Sequence, residues 1–375
     1  MEGHVTSNMT TIRMQNIPLD THKRQLLRKC LNMNFPNWMT SDNLVQVFLG
    51  FSQEVVLSSS LELSPDNSKT MTGTITLRNM SEVQKLLEVD EFSLSEGNAF
   101  PVESTRRVAI DTHFHGLTVI AGGDDSKLDI IAIHGLNGHA FNSWTVDDGV
   151  MWLRDLLPAQ VPDARVLLYG YNANVIEDAS RSRIQEHARL FIKFLQGLAE
   201  IQKRRVIFIC HSLGGLVLKQ ALVFIRNEKV YSTLRDVALG VIFLGTPHGG
   251  SAHADIAQDI TRISFRANAN QLLSDIQKDS PSLMDLAHSF KEFHSELKIA
   301  SFCEQLSMKL PGPFSTDLGL VVDQRSATIA DEQPIPVNCD HVTIAKYANA
   351  SDVVFQLVVS EVKRMAMGIV TSMPL

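Results

Sequence analysis

Only four of the 375 residues are cysteine, namely Cys30, Cys210, Cys303 and Cys339, and none forms a CxxC pair. That scatter excludes a disulfide framework and a zinc knuckle. A reducing compartment is expected, and neither a metal nor another cofactor is implied. Long apolar runs are also missing. The strongest, VIFIC and VALGVIFL, are far too short to span a bilayer. The opening MEGHVTSNMT has no basic stretch leading into an apolar one, so no secretory signal is read. The ending SMPL is not a peroxisomal signal. An intracellular, cytoplasmic location is the expectation. There is no run of one charge sign, and the formal net charge is −7, which argues against sequence-independent binding of nucleic acid. Internal repeats and low-complexity blocks are absent as well.

What is present is an ordinary globular mix, 44% hydrophobic and 20% charged, in a chain long enough for one large domain and a smaller partner. Residues 1–104 read as the smaller one. TTIRMQNIPL is a strand ending at Pro18, and THKRQLLRKCLN is helical. VVLSSSLEL and TMTGTITLRN are two strands joined by a turn at SPDNSK, and Ser81 caps a short helix, EVQKLLE. This is the split βαβ, or ferredoxin-like, order. From residue 105 to 375, strands alternate with helices. The strands are FHGLTVIAG, KLDIIAIHG, ARVLLYGY, RRVIFIC, VALGVIFLG, LKIASFC and LGLVVD. Repeated βα units predict a mostly parallel sheet covered by helices on both sides. Residues 251–296 carry no strand signal and read as a helical lid insertion. The helix over 353–365 should pack Val354, Leu357, Val358 and Met365 onto the sheet.

The chemistry concentrates in RRVIFICHSLGGLVLKQAL. A β-branched strand runs into C-H-S-L-G-G and a helix begins at once, which is the setting of a nucleophile elbow at Ser212. Gly214 and Gly215 give the helix side its close approach, while Cys210 stands where such elbows usually carry glycine. IIAIHGLNGHAFNSW ends a buried strand with His134, Gly135 and Leu136. The loop there is placed to supply an oxyanion donor, so the Leu136 and Leu213 N–H groups are the expected pair. The order of a triad on this architecture is serine, acid, histidine. His341 is the only histidine after His294, which makes it the expected base. For the acid, Glu304 ends LKIASFCE and is favoured by position, with Asp323 as the alternative. Asp340 adjoins the base too closely in sequence. His113 and His115 read as a surface strand pair, and His211 and His248 as residues of packing and loop hydrogen bonding.

Together these residues resemble the serine-active-site lipase-like group of α/β hydrolases, related to the GPI-inositol deacylases and to hydrolase domains of some fungal NACHT proteins. The resemblance rests on FHGLTVI, IHGLNGHAFNSW, ARVLLYGYNA, FICHSLGGLVLKQAL, VIFLGTPHGGS and the DH of NCDHVTIAKY. It implies an α/β-hydrolase fold, Ser212 and His341 as catalytic residues, and lipid-like or other hydrophobic acyl esters as substrates, with peripheral membrane contact as a further expectation. The first 104 residues resemble an RNA-recognition-type unit. Its central strands, TIRMQNI and TGTITLR, hold no aromatic on which a base could stack, so protein docking is expected there instead of RNA binding.

The leading expectation is hydrolysis of a carboxylic ester through an acyl-enzyme. Transfer of the acyl group to an alcohol or amine in a biosynthetic pathway would use the same residues. A non-catalytic interaction module that keeps the fold is the third reading.

Overall fold

The computed structural model describes residues 9–18, 56–65, 70–77, 91–92, 108–123, 126–173, 181–198, 201–248, 283–310, 316–330 and 332–367. Five strands build a first, antiparallel sheet: β1 (Thr10–Pro18), β2 (Val56–Leu63), β3 (Thr70–Leu77), β4 (Glu91–Phe92) and β5 (Val108–Asp111). Their order is β2-β3-β1-β5-β4. Strand β5 lies beyond the boundary read at residue 104 and pairs with β1, so this sheet extends to Asp111. The helices expected at 21–32 and 82–88 lie outside the described residues.

Alternation along these strands separates two chemistries. Ile12, Met14, Ile75 and Leu77 form one buried apolar row. Thr11, Arg13, Thr74 and Thr76 are also buried, and they point the other way. Their hydroxyls pair across strands, Thr11 with Thr76 at 2.9 Å and Ser60 with Thr74 at 2.6 Å, so each of these buried hydroxyls has a partner. Arg13 leaves this face to donate to Asp111 at 2.8 Å, to the His115 carbonyl at 3.0 Å and to the Thr118 hydroxyl at 2.8 Å. The polar face is therefore covered by the rest of the chain.

Among the described residues the second sheet has seven strands: β6 (Gly116–Ala121), β7 (Leu128–Ile133), β8 (Ala164–Gly170), β9 (Arg205–His211), β10 (Ala238–Leu244), β11 (Lys298–Glu304) and β14 (Ile335–Val337). A short hairpin of β12 (Lys309–Leu310) and β13 (Thr316–Asp317) stands apart. The order is β14-β11-β10-β9-β7-β8-β6, parallel except for β6. Two apolar clusters sandwich the sheet. Ile131, Ile133, Phe208 and Cys210 face one side; Ile130, Ala132, Ile207 and Ile209 face the other. This is why the strands read as continuous apolar runs.

Helices α1 (Trp152–Asp155), α2 (Leu157–Gln160), α3 (Arg181–Gly197), α4 (Gly214–Asn227) and α5 (Val353–Ala366) cover the two faces. Helices α3 and α4 lie on the first side, α1, α2 and α5 on the second. Asp352 caps α5 by accepting from the Val354 and Phe355 N–H groups at 2.8 and 3.0 Å. Val354, Val358 and Met365 are buried as expected, but Leu357 is 38% exposed and Phe355 takes the inward place. Strand order, parallel pairing and flanking helices are those of the α/β-hydrolase fold.

The segment LGLVVD is not a strand. The place beside β11 belongs to β14, and the backbone of 318–323 turns its hydrogen bonds elsewhere. His113 and His115 lie in the link between β5 and β6, not on a strand, with ring centroids 5.6 Å apart. Of the expected lid, 251–282 lies outside the described residues. Residues 283–291 are helical, and a 3-10 turn follows at His294–Glu296. No helix among the described residues is long and apolar enough to cross a membrane.

Candidate active site

The chain leaves β7 outward to β8 and returns to β9 on the other side of β7. Such a reversal opens a crevice at the carboxyl ends of the two central strands, where open α/β sheets bind ligands. His134-Gly135-Leu136 follows β7 at this point, and Ser212 follows β9. Ser212 has φ of +54°, a left-handed conformation in a residue with a side chain, as a strained strand-to-helix elbow requires. The bend is held from both sides. Its N–H donates to the Leu244 carbonyl at 2.9 Å, and its carbonyl accepts from the Thr246 hydroxyl at 3.0 Å.

Space explains the glycines. A Cβ on Gly214 would stand 2.4 Å from the His134 carbonyl oxygen, and one on Gly215 would stand 2.4 Å from Thr246. Cys210, by contrast, is fully buried in the apolar cluster, where its side chain packs like any small hydrophobe.

Three expected residues meet. His341 Nε2 lies 2.9 Å from Ser212 Oγ, and His341 Nδ1 lies 3.3 Å from Glu304 Oε2. All three side chains are buried. The other Glu304 oxygen accepts from the Val321 and Val322 N–H groups at 2.8 and 2.7 Å. The stretch that reads as a strand thus serves as a backbone cradle for a carboxylate. Asp323 is not brought to the histidine; its carboxylate accepts from the Ser326 N–H at 2.8 Å. Asp340 instead caps its own turn, accepting from the Val342 and Thr343 N–H groups at 2.9 and 2.8 Å. Gly245 has φ of +56°, and a Cβ there would come within 3.2 Å of both His341 and Glu304.

The Leu136 and Leu213 N–H groups have no hydrogen-bonded acceptor among the described residues. Leu213 opens α4, where the helix dipole adds partial positive charge. The loop bearing Leu136 is fixed by His134. Its ring stacks on Tyr171 at 4.4 Å, its Nδ1 lies 3.0 Å from the Gly135 carbonyl, and its own carbonyl accepts from the Tyr171 hydroxyl at 2.8 Å. Burial pushes the His134 pKa down to about 3, so the ring is neutral.

A cavity of about 460 Å³ opens over Ser212. Leu136, Met308 and Val342 give it apolar wall, and Asn137, Asn142 and Lys346 give it polar wall. Among the described residues no cluster of histidine, cysteine and carboxylates is arranged to hold a metal. His211, expected to pack and to hydrogen-bond a loop, does both: it meets Trp144 edge-on, and its ring lies 2.8 Å from the His341 carbonyl oxygen. No periodicity or spacing marks which carbonyl it meets.

No family model matches the chain. It is 28% identical over 244 residues to Protein SERAC1 of Danio rerio and 27% identical over 242 residues to Protein SERAC1 of Homo sapiens. Each match covers 59% of this chain and 36% of the relative, so the chain spans little more than a third of the length of these curated relatives. Among solved structures it is similar to Bacillus licheniformis lipase BlEst2 in its propeptide form, at 16% identity and a TM-score of 0.39, over 65% of this chain and 53% of that one. It is also similar to YbtT, a type II thioesterase from the yersiniabactin pathway, at 11% identity and a TM-score of 0.34, over 67% of this chain and 96% of that one.

Proposed function

We propose that this α/β-hydrolase chain is a serine esterase that cleaves a carboxylic ester through an acyl-enzyme. The observation that carries the reading is the unbroken line from Ser212 Oγ through the His341 ring to Glu304. In this reading Ser212 donates its hydroxyl hydrogen to the bare His341 Nε2, and Nδ1–H faces Glu304. The carboxylate keeps that tautomer and stabilises the imidazolium formed when the serine oxygen attacks the carbonyl carbon. The oxyanion is received by the Leu136 and Leu213 N–H groups, each worth on the order of 10²–10³ in rate. His341 then returns the proton to the leaving alcohol. It next takes one from water, whose oxygen attacks the acyl carbon, and returns that proton to the Ser212 oxygen as the acyl–serine bond breaks and the acid leaves.

The walls of the cavity support an amphipathic ester. Leu136, Met308 and Val342 suit the first carbons of a hydrophobic acyl chain, and Asn137 and Asn142 suit a polar alcohol portion. The test is labelling by a fluorophosphonate probe together with turnover of p-nitrophenyl esters of graded chain length. Labelling that disappears in Ser212→Ala, with turnover lower by about 10⁶, supports the reading. Equal turnover in the purified variant overturns it.

A further inference from the structure

We infer that His211, the residue before the candidate nucleophile, is a positioning residue that fixes the backbone of His341. The inference rests on the assignment of Ser212 and His341 proposed above. His341 follows β14 in a loop, between the Asp340 cap and the 3-10 turn at Thr343–Ala345, and is itself part of no strand or helix. Its ring is held at both nitrogens, by Ser212 and Glu304. Those two contacts work only if the main chain beneath the ring is in place, because rotation about Cα–Cβ carries the imidazole through several ångströms.

His211 supplies that third point. Its Nε2 stands 2.8 Å from the His341 carbonyl oxygen. A carbonyl can only accept, so Nε2 bears the hydrogen and Nδ1 is bare. Nδ1 is buried and has no hydrogen-bond partner among the described residues. A second proton there would be charged, dry and unpaired, so one tautomer is fixed. Desolvation supports this, pushing the pKa down to about 3 against the opposing effect of the hydrogen bond to the His341 carbonyl. The ring itself is wedged. It meets Trp144 edge-on at 6.4 Å and lies 5.2 Å from the His341 ring. His211 ends β9 and Ser212 begins the elbow, so two adjacent residues grip His341 at its carbonyl and at its ring. The base is thereby registered to the nucleophile by one peptide unit.

The test compares His211→Ala and His211→Gln in the full chain, with the Gln amide able to reach the carbonyl much as Nε2 does. Fluorophosphonate labelling rate, kcat and KM for a p-nitrophenyl ester, thermal midpoint and the ¹⁵N resonances of the His341 ring are measured together. The expected result for His211→Ala is a kcat lower by roughly 10–100-fold with KM little changed, as a displacement near 1 Å produces. The His341 resonances should shift, and His211→Gln should recover most of the rate. Unchanged kcat and resonances in His211→Ala overturn the inference. So does a His211→Gln variant as slow as His211→Ala, which would show that the imidazole serves packing alone. If the wild-type chain is never labelled while the His341 resonances still move in His211→Ala, the esterase reading fails and the positioning stands.

Discussion

Gly135 and Ser212 stand so close that a methyl group on the glycine would come within 2.7 Å of the serine Cβ, and within 3.0 Å of the His211 carbonyl oxygen. Both obstacles are rigid, because one belongs to the elbow and the other to its backbone. Gly135→Ala should therefore push the loop bearing Leu136 away from Ser212. The expected outcome is a loss of about 1–3 kcal/mol of stability, as overpacking costs. Turnover should fall by about 10²-fold as the Leu136 donor is displaced. Urea unfolding and ester kinetics on the same preparation check both.

The two carboxylates weighed for the acid separate cleanly by substitution. Glu304→Gln keeps the shape but can present an amide N–H to His341, favouring the wrong tautomer. Its kcat should fall by about 10³–10⁴. Asp323→Asn removes only a charge that holds the Ser326 turn. It should keep turnover within about threefold, a small effect for a side chain distant from the reacting atoms. Equal losses in the two variants would contradict the assignment.

Arg154 joins the two sheets. From α1 its guanidinium donates to Asp155 at 2.6 Å and to the Thr76 hydroxyl at 3.3 Å, reaches Ser58, and lies 5.1 Å over the Phe141 ring. Two residues earlier, Trp152 Nε1 donates to the Ala345 carbonyl at 2.9 Å, four residues beyond His341. Arg154→Ala should cost about 2–4 kcal/mol, since it empties a buried polar interface. It should also lower kcat moderately by loosening the His341 loop. Lysine should not restore it, because an ammonium cannot serve the same fork of acceptors. Differential scanning calorimetry and kinetics decide.

Acid should weaken the fold through its buried histidines, His134, His211 and His248 among them. Burial holds His134 and His211 neutral, with pKa values pushed from 6.5 down to about 3. The unfolded chain takes up a proton at each near pH 6.5, so below that pH it binds more protons than the fold does. Stability is fully present above about pH 6.5 and is lost as pH falls toward 3, by about 1.4 kcal/mol per unit for each histidine. Urea midpoints between pH 7 and 4.5 should show this slope, and His211→Gln should reduce it. An unchanged slope in that variant would remove His211 from the account.

Lys219 on α4 is buried, with its Nζ 5.8 and 5.2 Å from the centroids of the Phe243 and Phe290 rings. Desolvation lowers its pKa from 10.5 to about 7. Between pH 7 and 10.5 the unfolded chain holds the extra proton, so stability should rise with pH through that window. Lys219→Met keeps the volume and removes the charge. It should stabilise the protein at pH 7 by about 1–4 kcal/mol, the gain seen when buried charge gives way to packing. A lower melting temperature in this variant would show that the ammonium is needed where it stands.

Local pattern made much of the fold legible. Apolar runs such as RRVIFIC announced strands buried on both faces, and the immediate onset of a helix after Ser212 announced the elbow. In 318–323 the same logic misled. Val321 and Val322 are both buried and β-branched, the pattern of a core strand, yet their N–H groups are spent on the Glu304 carboxylate. Composition does not distinguish a backbone that bonds a neighbouring strand from one that bonds a side chain. The threonines of β1 and β3 carry no sign in the sequence that they are buried, yet they are, and Arg13 between them reaches residues about a hundred positions away.

The sequence by itself determined the central buried strands, the helix that follows Ser212, the sharp bend there and the glycines around it, because those depend on neighbours within a few residues. Tertiary structure alone decided which carboxylate faces His341, what the N–H groups of 321 and 322 hold, and what His211 grips. Those contacts join points 17, 18, 37 and 130 residues apart. Their geometry exists only once the sheet has brought the ends of β9, β11 and β14 side by side.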